Sequence, residues 1–142
     1  MTSVLHSITF DCADPERVGR FWAEVTGYAD DPDNPNSPGD PVWVLMAPGR
    51  AHQLLFVPVS EAKDRKNRVH LDLQPSDRTR DEEVDRLLGL GATLVADHRR
   101  EDGSGFVVLA DVEGNELCIE RSVAERSVAE RSVAERSVAE RA

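Results

Sequence analysis

The stretch that decides the fold runs from Val4 to Gly27 and reads VLHSITFDCADPERVGRFWAEVTG. Its first nine residues alternate in the direction of their side chains and give one mainly apolar face, which predicts a β-strand over 4–12. Asp14 and Pro15 then supply a helix N-cap and a proline at the first helical position. Apolar side chains follow at the spacing i, i+3, i+4, i+7, so an amphipathic helix is predicted that ends near Gly27.

The same order of elements recurs in the second half of the chain. A strand is predicted over 68–74, followed by a helix that Ser76 or Asp77 caps and that ends in the segment Gly89-Leu90-Gly91. Further short strands are predicted at 42–47, 52–59, 93–98, 105–109 and 116–121. The chain is therefore predicted to be an α+β protein with a duplicated strand–helix–strands pattern, in modules of about 1–60 and 68–121.

The length fits one domain and a tail. The chain has 142 residues, of which 39% are hydrophobic, enough for one compact domain and too few for two ordinary ones. Residues 122–142 are four copies of Ser-Val-Ala-Glu-Arg and a closing Ala, so the domain is expected within 1–121. The repeat favours a helix without a continuous apolar face, which is marginal alone. Deleting this tail is expected to leave stability and ligand binding nearly unchanged.

The charge argues against two kinds of partner. The tail holds as many Arg as Glu, so the whole formal net charge of −10 belongs to residues 1–121. Such an acidic domain argues against nucleic acid and anionic membranes as partners. No apolar run approaches the ~18 residues of a membrane helix, and no signal peptide is recognised. With two cysteines in the chain, a reduced cytoplasmic protein is expected.

Four short segments resemble the vicinal oxygen chelate (VOC) superfamily, in particular its glyoxalase/bleomycin-resistance proteins and their glyoxalase-like branch. The segments are residues 21–28, 66–73, 90–92 and 109–118. The last contains the hairpin Asp-Val-Glu-Gly-Asn, in which Val112 replaces the family's usual Pro. The resemblance implies two tandem βαβββ modules forming a curled mixed sheet around a shared cavity, and we expect a homodimer. Because this fold carries isomerases, oxygenases and binding proteins, it does not decide the function.

The resemblance also implies where a metal would bind, because the family's enzymes hold a divalent ion with His and Glu side chains. His70 lies at the position of the second-half His. The first-strand position falls on Ser7, whereas His6 is expected on the apolar, helix-packed face unless a bulge reverses the strand. The last position, usually Glu, is Cys118, and Glu120 is a substitute carboxylate near it.

The fourth metal position falls on Gln53 or Phe56, neither of which is a strong ligand. A complete metal site is therefore not predicted. If a divalent metal is the cofactor, His70 and Glu120 are the tentative residues that would hold it. A polar pocket is predicted instead, because polar faces of several strands would converge beside an aromatic wall. Its predicted ligand-binding residues are Ser7, Thr9, Asp11, Trp43, Gln53, His70, Asp72, Cys118 and Glu120.

Three functions are weighed against one another. The first is a small-molecule-binding protein that sequesters a compound or confers resistance, with carboxylates that favour a cationic or hydrogen-bond-donating ligand. The second is a metal-dependent lyase, isomerase or dioxygenase that uses His70 and Glu120, with His6 as a further ligand. The third is a protein-interaction module whose contact is the tail helix.

Overall fold

The computed structural model describes residues 1–126, and the rest of the predicted tail helix lies outside the described residues. The chain divides into two compact units. Among the described residues, unit 1 comprises Met1–Lys66 and Asp111–Asn115, and unit 2 comprises Asn67–Ala110 and 116–126. Each unit carries a mixed sheet and an α-helix, which confirms the α+β class. Within residues 1–126, no helix is long and apolar enough to cross a membrane.

Unit 1 is a three-stranded sheet with one helix. Its elements are β1 (Ser7–Cys12), α1 (Pro15–Thr26), β2 (Trp43–Met46) and β3 (Gln53–Pro58), with a 3-10 turn at Pro48–Arg50. The central strand β3 is parallel to β1 and antiparallel to β2. The described residues of this unit thus follow the order βαββ, with an isolated bridge between Ala29 and Met46, where the resemblance implied βαβββ.

The local signals that predicted α1 are confirmed. The Asp14 side chain accepts a hydrogen bond from the backbone N–H of Arg17 at 3.1 Å, and Pro15 begins the helix. Gly27 ends it at φ +72°, in the left-handed conformation that favours glycine. Trp22 is fully buried, and the Phe10 ring of β1 lies 4.9 Å from it. The apolar face of the first strand therefore packs on the helix, as its alternation predicted.

Unit 2 contains a four-stranded sheet and the helix α2. Its named elements are β4 (Leu71–Leu73), α2 (Arg80–Gly89), β5 (Thr93–Asp97), β6 (Val107–Ala110) and β7 (Glu116–Ile119). The strand order is β4-β7-β6-β5, with β4 parallel to β7 and the other pairs antiparallel. Leu87, Leu117 and Ile119 are fully buried and form part of its core. Each half thus pairs its strands within itself, so hydrogen bonding gives two sheets where one curled sheet was expected.

The start of α2 corrects the sequence prediction. Its N-cap is Thr79, whose side chain accepts from the backbone N–H of Glu82 at 3.2 Å. The Glu82 carboxylate in turn accepts from the backbone N–H of Thr79 at 3.2 Å. This reciprocal capping box satisfies two helix-end donors, whereas Ser76 or Asp77 alone would offer one acceptor.

Two predicted strands are shorter than their alternating patterns. Strand pairing begins at Ser7 in β1 and at Leu71 in β4. His6 precedes β1 and is exposed, so its expected place on the helix-packed face is wrong. Val69 precedes β4 and is 76% exposed. Alternation reports the faces of an extended segment and carries no information about whether a neighbouring strand is present to pair with it.

The first copy of the tail repeat is built into unit 2. Ser122 is 5% exposed, and its hydroxyl accepts from the backbone N–H of Glu125 at 3.1 Å. One oxygen of the Glu125 carboxylate accepts from the backbone N–H groups of Ser122 at 2.7 Å and Arg80 at 2.9 Å. Burial alone would raise the pKa of Glu125, but these hydrogen bonds outweigh it and lower the pKa. Glu125 thus caps both α2 and the helical turn at 123–126, a structural contribution that the tail's predicted dispensability left out.

A buried arginine organises the connection between β5 and β6. Arg80 is 5% exposed, and its Nη1 donates to the carbonyl oxygens of Gly103, Ser104 and Gly105 at 3.1–3.2 Å. Gly105 has φ +95°, and a Cβ there would collide with the carbonyl group of His98. The loop therefore needs both the guanidinium and the glycine.

Candidate functional site

Three potential metal-binding side chains meet on one face of the sheet of unit 2. They are His70, Asp72 and Cys118, and one ligand atom of each lies within 4.8 Å of the others. The Nε2 of His70 lies 3.2 Å from Oδ1 of Asp72, and these two side chains are 40% and 55% exposed. Cys118 is 5% exposed. The cluster thus has a buried thiol at its inner end and two accessible polar groups at its outer end.

Strand geometry explains this convergence. Residues two apart on an extended segment share a face, so His70 and Asp72 point the same way. In the parallel β4–β7 ladder, Asp72 is the register partner of Cys118. Leu117 and Ile119, the neighbours of Cys118 along β7, are fully buried. The sequence thus places His70 and Asp72 together locally, whereas Cys118 joins them through a pairing across 46 residues of sequence.

The donor chemistry of this cluster fits a divalent ion of borderline softness. One imidazole, one carboxylate and one thiol are the donor types that Zn²⁺ and its neighbours accept, and three protein donors leave a position open for another ligand. Carboxylate, carbonyl and water ligands suit Mg²⁺ and Mn²⁺ better. The residues present therefore fit a thiophilic metal and fit a hard one poorly.

The two glutamates on either side of Cys118 in sequence have other partners. An oxygen of the Glu120 carboxylate lies 2.7 Å from Nη2 of Arg126, in an exposed ion pair. Glu116 accepts a hydrogen bond from the backbone N–H of Asn67 at 3.0 Å. Of the two tentative metal residues, the structure thus places His70 in the donor cluster and pairs Glu120 with an arginine of the tail.

The predicted site residues of unit 1 are divided between the two faces of its sheet. The Ser7 hydroxyl accepts from Nε2 of Gln53 at 2.9 Å, across the β1–β3 pair. Thr9 and Asp11 are exposed on the same face of β1 as Ser7. Trp43 is 5% exposed. Its indole packs so closely on Gly19 of α1 that a Cβ there would overlap it, so Trp43 lies in the core of the unit.

Unit 1 also contains a cleft of about 330 Å³ at the end of β1. Acidic groups and two basic groups share its lining, which includes Asp11, Arg17, Glu61, Lys63 and Glu113. Of the predicted ligand-binding residues, Asp11 lines this cleft. Lys63 and Glu61 were missed, and the charged segment 60–68 was the available signal for them.

One acidic side chain at the cleft, Glu113, already serves the fold. The Glu113 carboxylate accepts from the backbone N–H groups of Ala13 at 2.6 Å and Asp14 at 2.9 Å, just before α1. Cys12 is buried, and its thiol donates to the carbonyl oxygen of Val57 at 3.6 Å. Burial, together with the nearby carboxylates of Glu113 and Asp111, raises the pKa of Cys12 to about 11. Cys12 is therefore a protonated, unreactive thiol at neutral pH.

The hairpin at 111–115 is held by a buried aspartate, Asp111, which is not among the predicted site residues. Asp111 is 3% exposed, and its Oδ2 accepts from the indole N–H of Trp22 at 2.9 Å and from the side-chain amide of Asn115 at 3.0 Å. Its Oδ1 accepts from the backbone N–H groups of Glu113 at 2.9 Å and Asn115 at 3.0 Å. The turn thus has a structural explanation within unit 1: it ties the loop to α1.

The family comparison agrees with this architecture. The model of the glyoxalase-like domain matches residues 7–120. The chain belongs to the glyoxalase-like domain family, and its fold is that of the glyoxalase/bleomycin resistance/dioxygenase proteins. No curated protein matches the chain.

Solved structures show the same fold at low sequence identity. A glyoxalase/bleomycin resistance protein/dioxygenase family enzyme from Burkholderia phytofirmans PsJN is 20% identical, with a TM-score of 0.61 over 85% of this chain and 99% of that one. A mutant of the fosfomycin resistance protein FosX from Listeria monocytogenes, complexed with Mn(II) and 1S,2S-dihydroxypropylphosphonic acid, is 15% identical, with a TM-score of 0.63 over 88% and 94%. Oxidase ChaP-H2 is 22% identical, with a TM-score of 0.55 over 86% and 94%.

Proposed function

We propose that this protein binds a small molecule at the cluster of His70, Asp72 and Cys118. One observation carries the proposal: three side chains with different donor and acceptor chemistry converge within 4.8 Å. Two of them are accessible to solvent, whereas Leu117 and Ile119 of the adjoining strand are fully buried. A few convergent polar groups on a rigid apolar scaffold are what small-ligand sites use.

The charge of the chain favours one class of ligand. Its formal net charge is −10, which attracts cations and repels anions over distances of about a Debye length. An amine or another hydrogen-bond donor therefore suits Asp72 better than a phosphonate does. Sequestration of, or resistance to, such a compound is the biological role that we propose.

A thermal-shift screen tests this proposal with the metal-free protein. The probes are spermidine and choline as cations, and dihydroxypropylphosphonic acid as the anionic comparison. We expect a cationic probe to raise the melting temperature of the wild type, and His70→Ala with Asp72→Asn to abolish the shift. His98→Ala serves as the matched control, because His98 is an exposed histidine of the same unit. Shifts that survive in the double variant would disprove this site.

A second candidate function is a divalent-metal-dependent lyase, isomerase or dioxygenase. The donor set of His70, Asp72 and Cys118 favours it specifically, because these residue types bind first-row metals. A bound ion would supply Lewis-acid activation of a substrate oxygen. His70, Asp72 and Cys118 would hold the ion. Elemental analysis of purified protein tests this candidate: it requires metal in stoichiometric amount that His70→Ala removes.

We also propose that the protein forms a homodimer. Strand β5 lies at the edge of its sheet, and its Leu94 and Val95 are 55% and 53% exposed. An unpaired edge with apolar side chains is a template for association with another chain. Sedimentation equilibrium should give twice the chain mass, and Val95→Lys should reduce the mass to that of one chain. A wild-type mass of one chain would contradict the dimer.

A further inference from the structure

The donor set of unit 2 carries an inference about which metal ions this chain accepts. We infer that His70, Asp72 and Cys118 form a site for a thiophilic divalent ion such as Zn²⁺ or Co²⁺, with Cys118 as a thiolate ligand. The inference rests on the second candidate function, the metal-dependent one, and on the three donors that meet in this cluster. The cationic ligand proposed first would occupy the same three side chains, so it is tested on protein that is free of metal.

The distances suit a small ion. Two donors on a tetrahedral zinc ion lie about 3.5 Å apart, given bond lengths of about 2.0–2.3 Å. The Nε2 of His70 and Oδ1 of Asp72 already lie 3.2 Å apart. Their separations from the sulfur are at most 4.8 Å. A contraction of about 1 Å or less in each side chain therefore brings all three donors into coordinating distance.

The three donors differ in burial, so the cluster has an inner end and a solvent-facing end. The sulfur is at the buried end, and the outer donors are on side chains 40% and 55% exposed. An ion bound here would have protein ligands on its inner side and an open position toward solvent. Sites with three protein ligands and an open position are the ones in which zinc binds a water or another exchangeable ligand.

Preference for zinc over manganese is not sufficient evidence, because most protein sites bind Zn²⁺ more tightly than Mn²⁺. The test must instead report the sulfur directly. Titration of the full-length chain with Co²⁺ should produce a near-ultraviolet sulfur-to-cobalt charge-transfer band at one ion per chain. Cys118→Ser should abolish that band, whereas Cys12→Ala should keep it. Cys12 is the matched control, because it is equally buried but has no place in the donor cluster.

Calorimetry adds a measure of affinity. Loss of an outer-shell partner typically weakens metal binding 10–100-fold, so loss of the direct ligand in Cys118→Ser should raise the Zn²⁺ dissociation constant at least about 100-fold. Cys118→Glu should lower the ratio of Zn²⁺ to Mn²⁺ affinity at least about tenfold, because it replaces a soft donor with a hard one. His70→Ala should weaken the binding of both Zn²⁺ and Mn²⁺ while it leaves Cys118 in place.

Two outcomes would overturn the inference. One is Co²⁺ binding without a sulfur band in the wild type, a result that requires no variant to fold. The other is a Zn²⁺ affinity that Cys118→Ser leaves unchanged. Either outcome leaves the proposed cationic ligand untouched, because that proposal is tested on metal-free protein. Conversely, a cobalt–sulfur band with no response to spermidine or choline would support the metal site and count against the binding proposal.

Discussion

Removing the Asp111 side chain should destabilise unit 1 more than any surface substitution. Asp111→Ala leaves the buried indole N–H of Trp22 without its acceptor, which costs about 1–3 kcal/mol. The three remaining hydrogen bonds, from Glu113 and Asn115, are part-buried. Water can replace their acceptor partly, so each adds about 0.5–1 kcal/mol. The expected loss in the free energy of unfolding is therefore about 2.5–6 kcal/mol, a large fraction of an ordinary domain's 5–15 kcal/mol.

Two further variants make the test specific. Asp111→Asn keeps one carbonyl acceptor and should cost less than Asp111→Ala. Asp102→Ala removes a similar local turn, in which Asp102 accepts from the backbone N–H of Ser104 at 2.9 Å in an exposed setting. It should cost less than about 1 kcal/mol, because it is at the surface.

Urea denaturation followed by circular dichroism measures all three variants. The reasoning is refuted if Asp111→Ala stays within about 1 kcal/mol of the wild type, or if Asp102→Ala costs as much. In the first case the indole N–H must find another acceptor. In the second case, any aspartate that caps a turn would stabilise the protein equally, and the burial of the Asp111 carboxylate would add nothing.

Three other predictions follow from the packing and burial of single residues. Glu125→Ala should lower the free energy of unfolding, measured by urea denaturation, by about 1–2 kcal/mol, because it removes a cap from two helical segments. Deletion of 127–142 should lower it by less than about 0.5 kcal/mol. Equal effects would contradict the role of Glu125. Gly105→Ala should cost about 2 kcal/mol or more through its steric collision. Gly103 has φ +86° and open space around it, so Gly103→Ala should lower the free energy of unfolding by only about 1 kcal/mol. Equal losses in the Gly103 and Gly105 variants would show that the steric collision at Gly105 is not the cause. Stability should fall between pH 9 and about pH 11 because the unfolded thiol of Cys12 ionises first. Cys12→Ala should abolish that part of the fall, and an unchanged pH profile would count against the raised pKa.

Local signals predicted α1 well because everything that sets its ends lies within the chain segment itself. Asp14, Pro15 and Gly27 act within three or four residues, and the structure places each of them as expected. The cap of α2 was also readable, since Thr79 and Glu82 have the spacing of a capping box. Ser76 and Asp77 were predicted as the cap because each is a capping residue type by itself, and residue type alone does not reveal the reciprocal pair of Thr79 and Glu82.

The candidate site was only partly predictable because its geometry depends on strand pairing. His70 and Asp72 share a face through local alternation, so both were predicted. Their approach to Cys118 depends on the parallel register of β4 and β7. The resemblance placed Cys118 at a ligand position but gave no distances, and the site therefore looked incomplete. Trp43 was harder to place, because its strand reads Trp-Val-Leu-Met and is apolar on both faces, so the sequence does not say which face a helix will cover.

The central claim is that function resides on the face of β4 and β7 that carries His70, Asp72 and Cys118. Backbone-amide chemical-shift mapping by NMR tests it most directly, with Zn²⁺ and spermidine titrated separately into isotope-labelled, full-length protein. The largest shifts are predicted at residues 70–72 and 117–119. Shifts centred instead on the cleft of unit 1, at Asp11 and Lys63, would contradict the assignment and move the functional site to that unit.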